Sequence, residues 1–109
     1  MTDRELLELA ANAAGYELDW YPSTRCDLVT KRSVGEVVKL DWNPLTNDGD
    51  ALRLVVKCNL HVCVGYGSVS ACLQDDGSFH QIEETKNDPY AATRRAIVRS
   101  AAEIGRSMK

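Results

Sequence analysis

Features that mark specialised protein classes are missing from this sequence. With 44% hydrophobic residues, 27% charged residues and only three prolines, its composition is that of an ordinary globular protein. No apolar run approaches the roughly 20 residues that cross a bilayer. The start, MTDRELLELA, is charged and lacks the continuous apolar segment of a signal peptide. We therefore expect a cytoplasmic protein with no membrane partner.

Sequence motifs that carry catalysis are also missing. There is no Gly-x-Ser-x-Gly nucleophile elbow or comparable motif. The GYGS stretch at 65–68 has the glycines of a phosphate loop, but it joins two alternating strands. No helix N-terminus would stand behind it to hold a phosphate, so a hairpin turn is the better interpretation. We expect no catalytic residue, no cofactor and no enzyme activity.

The cysteines and histidines form no regular metal-binding pattern. Without a secretory signal the four cysteines are expected to be reduced. Cys58, His61 and Cys63 are ligand types, and Cys72 and His80 follow, but no CxxC pair is present. Two of these side chains could share a strand face, whereas four are not arranged for zinc. Buried thiols are therefore favoured and no metal is predicted.

Hydrophobic periodicity predicts one α+β domain over residues 1–109, in the order α-β-β-α-β-β-(β)-α. Thr2 and Glu5 have the spacing of a capping box, and Asp88-Pro89 has the pattern of a second helix start. Residues 51–58 carry a wide apolar arc of helical period. Residues 22–35 are irregular, although Leu28 and Val29 could begin a strand. An antiparallel sheet covered by helices is the economical arrangement.

The last predicted helix is basic although the chain is acidic. Residues 94–109 carry five basic side chains and one acidic side chain, a net charge of +4. Residues 1–93 carry eight basic and fifteen acidic side chains, a net charge of −7. At 100° per residue the core stripe of this helix consists of Tyr90, Ile97, Ala101, Ile104 and Met108. The opposite, solvated face presents the arginine row, which we define as Arg95, Arg99 and Arg106.

Three interpretations of the arginine row stay open. The arginines could pair with local acids, as Arg99 with Glu103, on an ordinary solvated face. They could anchor a protein partner, for which arginine is well suited. They could bind nucleic acid or a nucleotide. Against this, the net charge of −7 on residues 1–93 would repel a polyanion, and few aromatic side chains are available for stacking on bases. Arg94 lies nearer the core and is expected to pair with an acid of the 48–50 loop.

Asp48 and Asp50 have the spacing that opens a calcium-binding loop. The glutamate that closes such a loop is missing, because its position holds Asn59. Both acids lie where a helix is predicted to begin, where carboxylates cap backbone amides and complement the helix dipole. Capping is therefore the favoured role for this pair.

Two sequence blocks resemble a known family. WNPLTNDGDALRL (42–54) and DPYAATRRAIVRSAAEIGRSM (88–108) closely resemble signature stretches of the phage ABA sandwich domain family, and MTDRELLELAANAAGY resembles its usual start. The resemblance implies a three-layer α-β-α sandwich and a phage or prophage protein acting in the cytoplasm of the host bacterium. The family is uncharacterised, so no activity follows. The signature positions are Trp42, Asn43, Pro44, Asp48, Asp50, Asp88, Pro89, Tyr90 and Arg94.

These observations together favour binding over catalysis. The expected function is that of a small phage or prophage accessory protein that binds a host or phage protein, with self-association into a homo-oligomer left open. The alternative is nucleic-acid or nucleotide binding through the basic C-terminal helix.

Overall fold

The computed structural model describes residues 2–21, 26–31, 37–40, 42–85 and 87–108, with side chains described in 2–18, 42–85 and 87–108. Its elements in chain order are α1 (Asp3–Ala13), β1 (Tyr16–Tyr21), β2 (Cys26–Lys31), β3 (Val37–Leu40), α2 (Asp48–Cys58), β4 (Leu60–Val64), β5 (Ser68–Leu73), β6 (Gln81–Glu84) and α3 (Pro89–Ser107). Leu28 and Val29 do belong to a strand. The predicted irregularity of 22–25 and 32–35 lies outside the described residues.

The α+β class and the antiparallel pairing are confirmed. The strands differ from the expected single sheet, because they form two three-stranded sheets of order β1-β2-β3 and β4-β5-β6. Helix α3 packs on β4–β6, α1 packs on α3 and on β1, and α2 packs on α3 and β4. Among the described elements there are three helices and two antiparallel sheets, and the layering of the predicted three-layer α-β-α sandwich stays a prediction.

Local capping chemistry sets where the helices begin. The Thr2 hydroxyl accepts a hydrogen bond from the Glu5 amide at 3.1 Å, and the Glu5 carboxylate accepts one from the Thr2 amide, which is the predicted capping box. Helix α3 begins as predicted, with Asp88 accepting from the Ala91 amide at 3.0 Å and Pro89 in its first turn. The cap of α2 is Asn47, one residue before the aspartates.

Helix α3 is the centre of the core and is buried on more than one side. The predicted stripe is only partly right, because Ile97 and Ala101 are buried whereas Tyr90 and Met108 are exposed. The helix contacts α1, α2 and β4–β6, so small residues around much of its circumference are covered. Its buried residues are Ala92, Ala96, Ile97, Val98, Ser100, Ala101, Ala102 and Gly105.

The closest approach in the core joins α1 to α3 at Gly105. A Cβ atom at Gly105 would lie 1.9 Å from the Leu9 carbonyl oxygen, so only glycine lets the two backbones come this near. The Asn12 side-chain amide donates to the Gly105 carbonyl at 3.2 Å across the same contact. The α1–α3 interface therefore depends on one residue without a side chain.

Candidate interaction surface

Each member of the arginine row has a carboxylate partner. Arg95 lies 3.2 Å from Asp3 of α1, and Arg106 lies 3.7 Å from Glu103 one turn earlier. Arg99 pairs with Glu83 of β6. The proposed pairing of Arg99 with Glu103 is therefore wrong, because β6 passes closer to Arg99 than its own helix neighbour does.

The expectation of a solvated arginine row is only partly right. Arg106 is exposed, but Arg95 and Arg99 are partly buried, because α1 and β6 flank α3 on that side. Arg95 and Arg99 line a polar cavity of ≈ 420 Å³ together with Leu6, Gln81, Glu83 and Glu103. Two guanidinium groups and two carboxylates balance there, so the cavity offers no excess positive charge for a phosphate.

Arg94 connects the two sequence blocks at 42–54 and 88–108. Its side chain is only 16% exposed, and its Nε donates to the Leu45 carbonyl at 2.8 Å while Nη1 donates to Asp48 Oδ1 at 2.6 Å. The predicted pairing with an acid of the 48–50 loop is confirmed. A guanidinium that binds both a backbone carbonyl and a carboxylate fixes the loop against α3 more strongly than a surface pair would.

Asp50 holds the same loop from the inside. Its side chain is fully buried and accepts from the Asn43 amide at 3.0 Å and from Arg53 at 3.2 Å. The Asp50 amide in turn donates to the Asn47 side chain at 2.9 Å. Trp42 and Pro44 are buried beside it. The two aspartates thus face different partners. Neither side chain caps the helix, because Asn47 does, so the predicted capping role is wrong and both carboxylates instead hold the loop in place.

The cysteine and histidine side chains that could bind zinc are only partly brought together. His61 lies opposite Cys72 and Cys63 lies opposite Ser70 in the β4–β5 pairing. His80 is in the loop before β6, and within the described ranges no three potential ligands come within reach of one ion. Burial raises the pKa of the Cys58 thiol to about 11, so it stays protonated and is a poor nucleophile.

An apolar groove of ≈ 600 Å³ opens between α2, β4 and the first half of α3. Three large side chains on it are largely exposed: Leu52 by 63%, Val64 by 64% and Tyr90 by 71%. Its complete lining is Asp48, Ala51, Leu52, Val55, Val62, Val64, Pro89, Tyr90, Thr93, Arg94 and Ile97. The only charged side chains in this lining are Asp48 and Arg94, which neutralise each other.

The sequence contained a signal for this groove that periodicity could not interpret. The apolar arc of α2 is wider than one neighbouring element can cover. Ala51, Leu54 and Cys58 face the core, whereas Leu52 and Val56 on the same arc remain exposed. Because the apolar stripe of a helix normally faces the core, the part of this arc that stays exposed indicates a second contact surface.

Comparison of this chain with protein-family models, with curated proteins and with solved structures finds no match in any of the three. No helix in the described part of the chain is long and apolar enough to cross a membrane.

Proposed function

We propose that this chain is a small phage or prophage accessory protein that binds a host or phage protein without catalysis. The observation that carries the binding role is the apolar groove between α2, β4 and α3. The phage origin is supported by the two sequence blocks at 42–54 and 88–108. The occupant that fits the groove is an uncharged, apolar segment of a protein.

The chemistry of the groove supports such an occupant. Its apolar lining is interrupted by one ion pair, Asp48–Arg94, whose charges are already compensated at 2.6 Å. A carboxylate, phosphate or ammonium group entering the groove would lose water and find no unpaired charge, which is unfavourable. Apolar side chains lose nothing comparable, and contiguous exposed apolar patches are typical of protein-binding sites.

The size of the apolar patch sets what the partner must cover. Fully burying a large apolar side chain contributes about 1.5–3 kcal/mol, so covering the exposed two-thirds of Leu52, Val64 and Tyr90 contributes roughly 3–6 kcal/mol. Association costs at least about 4 kcal/mol in lost freedom of motion. A stable complex therefore has to extend beyond the groove to neighbouring exposed side chains such as Val56 and Tyr66.

The signature residues support the walls of this groove. Arg94 ties the loop at Leu45 and Asp48 to α3, and Asp50 ties the chain at Asn43 to the first turn of α2. These contacts fix the angle between α2 and α3, which is the angle at which the groove opens. The groove is therefore preformed, which reduces the entropic cost of binding.

The test is partner capture from phage-infected bacteria with wild type and Leu52→Lys. Because Leu52 is largely exposed, the substitution is expected to leave folding intact while placing a charge in the groove. The matched control is Ile82→Lys, which adds the same charge at an exposed position of β6 outside the groove. We expect Leu52→Lys to lose proteins that wild type and the control both retain. Identical capture by all three would remove the groove from the proposal.

Nucleic-acid binding through the arginine row is the alternative, and it has weaker support. Arg95, Arg99 and Arg106 would each have to give up a carboxylate partner before meeting a phosphate. The acidic excess of residues 1–93 adds repulsion at distances of about a Debye length, ~8–10 Å.

A further inference from the structure

The tip of the β4–β5 hairpin is an exposed, uncharged projection. Tyr66 at its apex is fully exposed, and the tight turn is closed by the Gly65 amide donating to the Ser68 carbonyl at 2.8 Å. Gly67 has a φ of +86°, which the turn requires. Residues 62–74, VCVGYGSVSACLQ, contain no charged side chain. The tip therefore has the apolar, neutral chemistry that the groove accepts.

The tip and the groove lie side by side on one surface. Val64 lines the groove and is also the last residue of β4, two positions before Tyr66. A twofold axis passing near Val64 would place the tip of each copy over the groove of the other. Such an isologous arrangement uses one self-complementary patch twice and closes on itself.

Building on the proposed function, we propose that a second copy of this chain occupies the groove, with the Tyr66 tip of each protomer inserted in the other. The charges permit this contact. The chain carries a net charge of −3, so two copies repel at long range. Residues 62–74 carry no charge and the groove lining holds one ion pair, and the acid that strand pairing places beside the tip is Glu84, opposite Ser68. Asp48 and Arg94 stay paired with each other, so no uncompensated charge is buried.

The available area reaches the range of a weak dimer. With about 200 Å² for a complete tyrosine, Tyr66 and Tyr90 offer roughly 340 Å² at their exposed fractions. With about 90 Å² for a complete aliphatic side chain, the exposed fractions of Leu52 and Val64 add roughly 110 Å². Roughly 450 Å² per copy, or about 900 Å² in the pair, lies just below the ~1,000 Å² expected of a specific interface, and the groove walls supply the remainder. An interface of this size is expected to be weak.

The first measurement is sedimentation velocity of the wild-type chain over a dilution series from about 1 to about 300 µM, a range suited to weak complexes. Wild type is expected to pass from monomer to dimer. Tyr66→Asp at the tip and Leu52→Lys in the groove are each expected to weaken dimerisation at least about tenfold. Ile82→Asp, an exposed apolar position outside the groove, is the matched control and should dimerise like wild type.

Mixing the two weakened variants tests the geometry itself. In an equimolar mixture, the aspartate at the tip of one copy meets the lysine in the groove of the other, while the second contact is wild type. The mixture should therefore dimerise more tightly than either variant alone. A wild-type chain that stays monomeric throughout, a Tyr66→Asp chain that dimerises like wild type, or a mixture that stays monomeric would each overturn the proposal.

The two proposals fail in different ways. If wild type is monomeric but Leu52→Lys still loses captured proteins, the groove binds a different protein and only the dimer is refuted. If capture from infected cells is unchanged by Leu52→Lys, the proposed function is refuted whatever the oligomeric state.

Discussion

Gly105→Ala is expected to destabilise the protein by opening the contact between α1 and α3. The added Cβ would lie 1.9 Å from the Leu9 carbonyl oxygen, 2.8 Å from the Leu9 carbonyl carbon and 3.3 Å from the Ala13 amide nitrogen. These are backbone atoms, so no side-chain rotation can relieve the overlap. The two helices would have to separate by about 1 Å or more to restore a carbon–oxygen contact of roughly 3.3 Å.

Two opposing effects decide the magnitude. Alanine is favoured over glycine within a helix by about 1 kcal/mol. Against this, overpacking of a close interface costs about 1–3 kcal/mol, and a rigid backbone neighbour places this case near the upper end. Separation of the helices also weakens the 3.2 Å hydrogen bond from Asn12 to Gly105, worth about 1 kcal/mol. The net expectation is a loss of about 2–3 kcal/mol in the free energy of unfolding.

The assay is equilibrium unfolding in urea together with thermal unfolding. A loss of about 2–3 kcal/mol corresponds to a fall in Tm of roughly 10–15 °C for a chain of this size. The matched control is Gly49→Ala in the first turn of α2, where a Cβ would meet only the side chains of Asn47 at 3.2 Å and Arg53 at 3.3 Å. Because these contacts require shifts of only a few tenths of an ångström and alanine is favoured within a helix, its stability should stay within about 1 kcal/mol of wild type. Equal stability of the two variants would refute the packing argument.

Four further predictions follow from the described contacts. Arg94→Ala should lower the free energy of unfolding by about 1–2 kcal/mol, measured by urea unfolding. Arg94→Lys should recover only part of this loss, because lysine cannot bond the Leu45 carbonyl and the Asp48 carboxylate together. Full recovery by lysine would contradict this prediction. In the native protein, iodoacetamide should modify the exposed Cys63 and spare buried Cys58, as read by mass spectrometry of the peptides. Burial raises the pKa of the Cys58 thiol from 9.0 in the unfolded chain to about 11 in the folded protein. The contribution of this thiol to the free energy of unfolding should therefore fall as pH rises across that window, and Cys58→Ala should remove this pH dependence. Finally, the protein should not be retained on a phosphate-rich matrix at low salt. Retention that is abolished when Arg95, Arg99 and Arg106 are all changed to alanine would instead favour the nucleic-acid alternative.

Features fixed by neighbours in the chain could be predicted from the sequence. The capping box at Thr2 and Glu5, the start of α3 at Asp88 and the hairpin turn at 65–68 all depend on residues within a few positions of one another. The pairing of Arg94 with Asp48 spans 46 positions, yet it could be predicted because the geometry of one helix placed Arg94 at the edge of the core. Local geometry and hydrophobic period therefore determined the elements and the α+β class.

The features that only the tertiary structure decided are those that depend on which element lies beside another. Periodicity shows that Leu52 is on an apolar arc, but not whether a second element covers it, and here it is left exposed. It places Arg99 opposite one core stripe, but α3 is buried on several sides and β6 brings Glu83 to the guanidinium. A hydrophobic pattern specifies a face without specifying the neighbour that packs on it. The division of the strands into two sheets, the balanced charges of the arginine row and the open groove beside Tyr66 all arise from long-range packing.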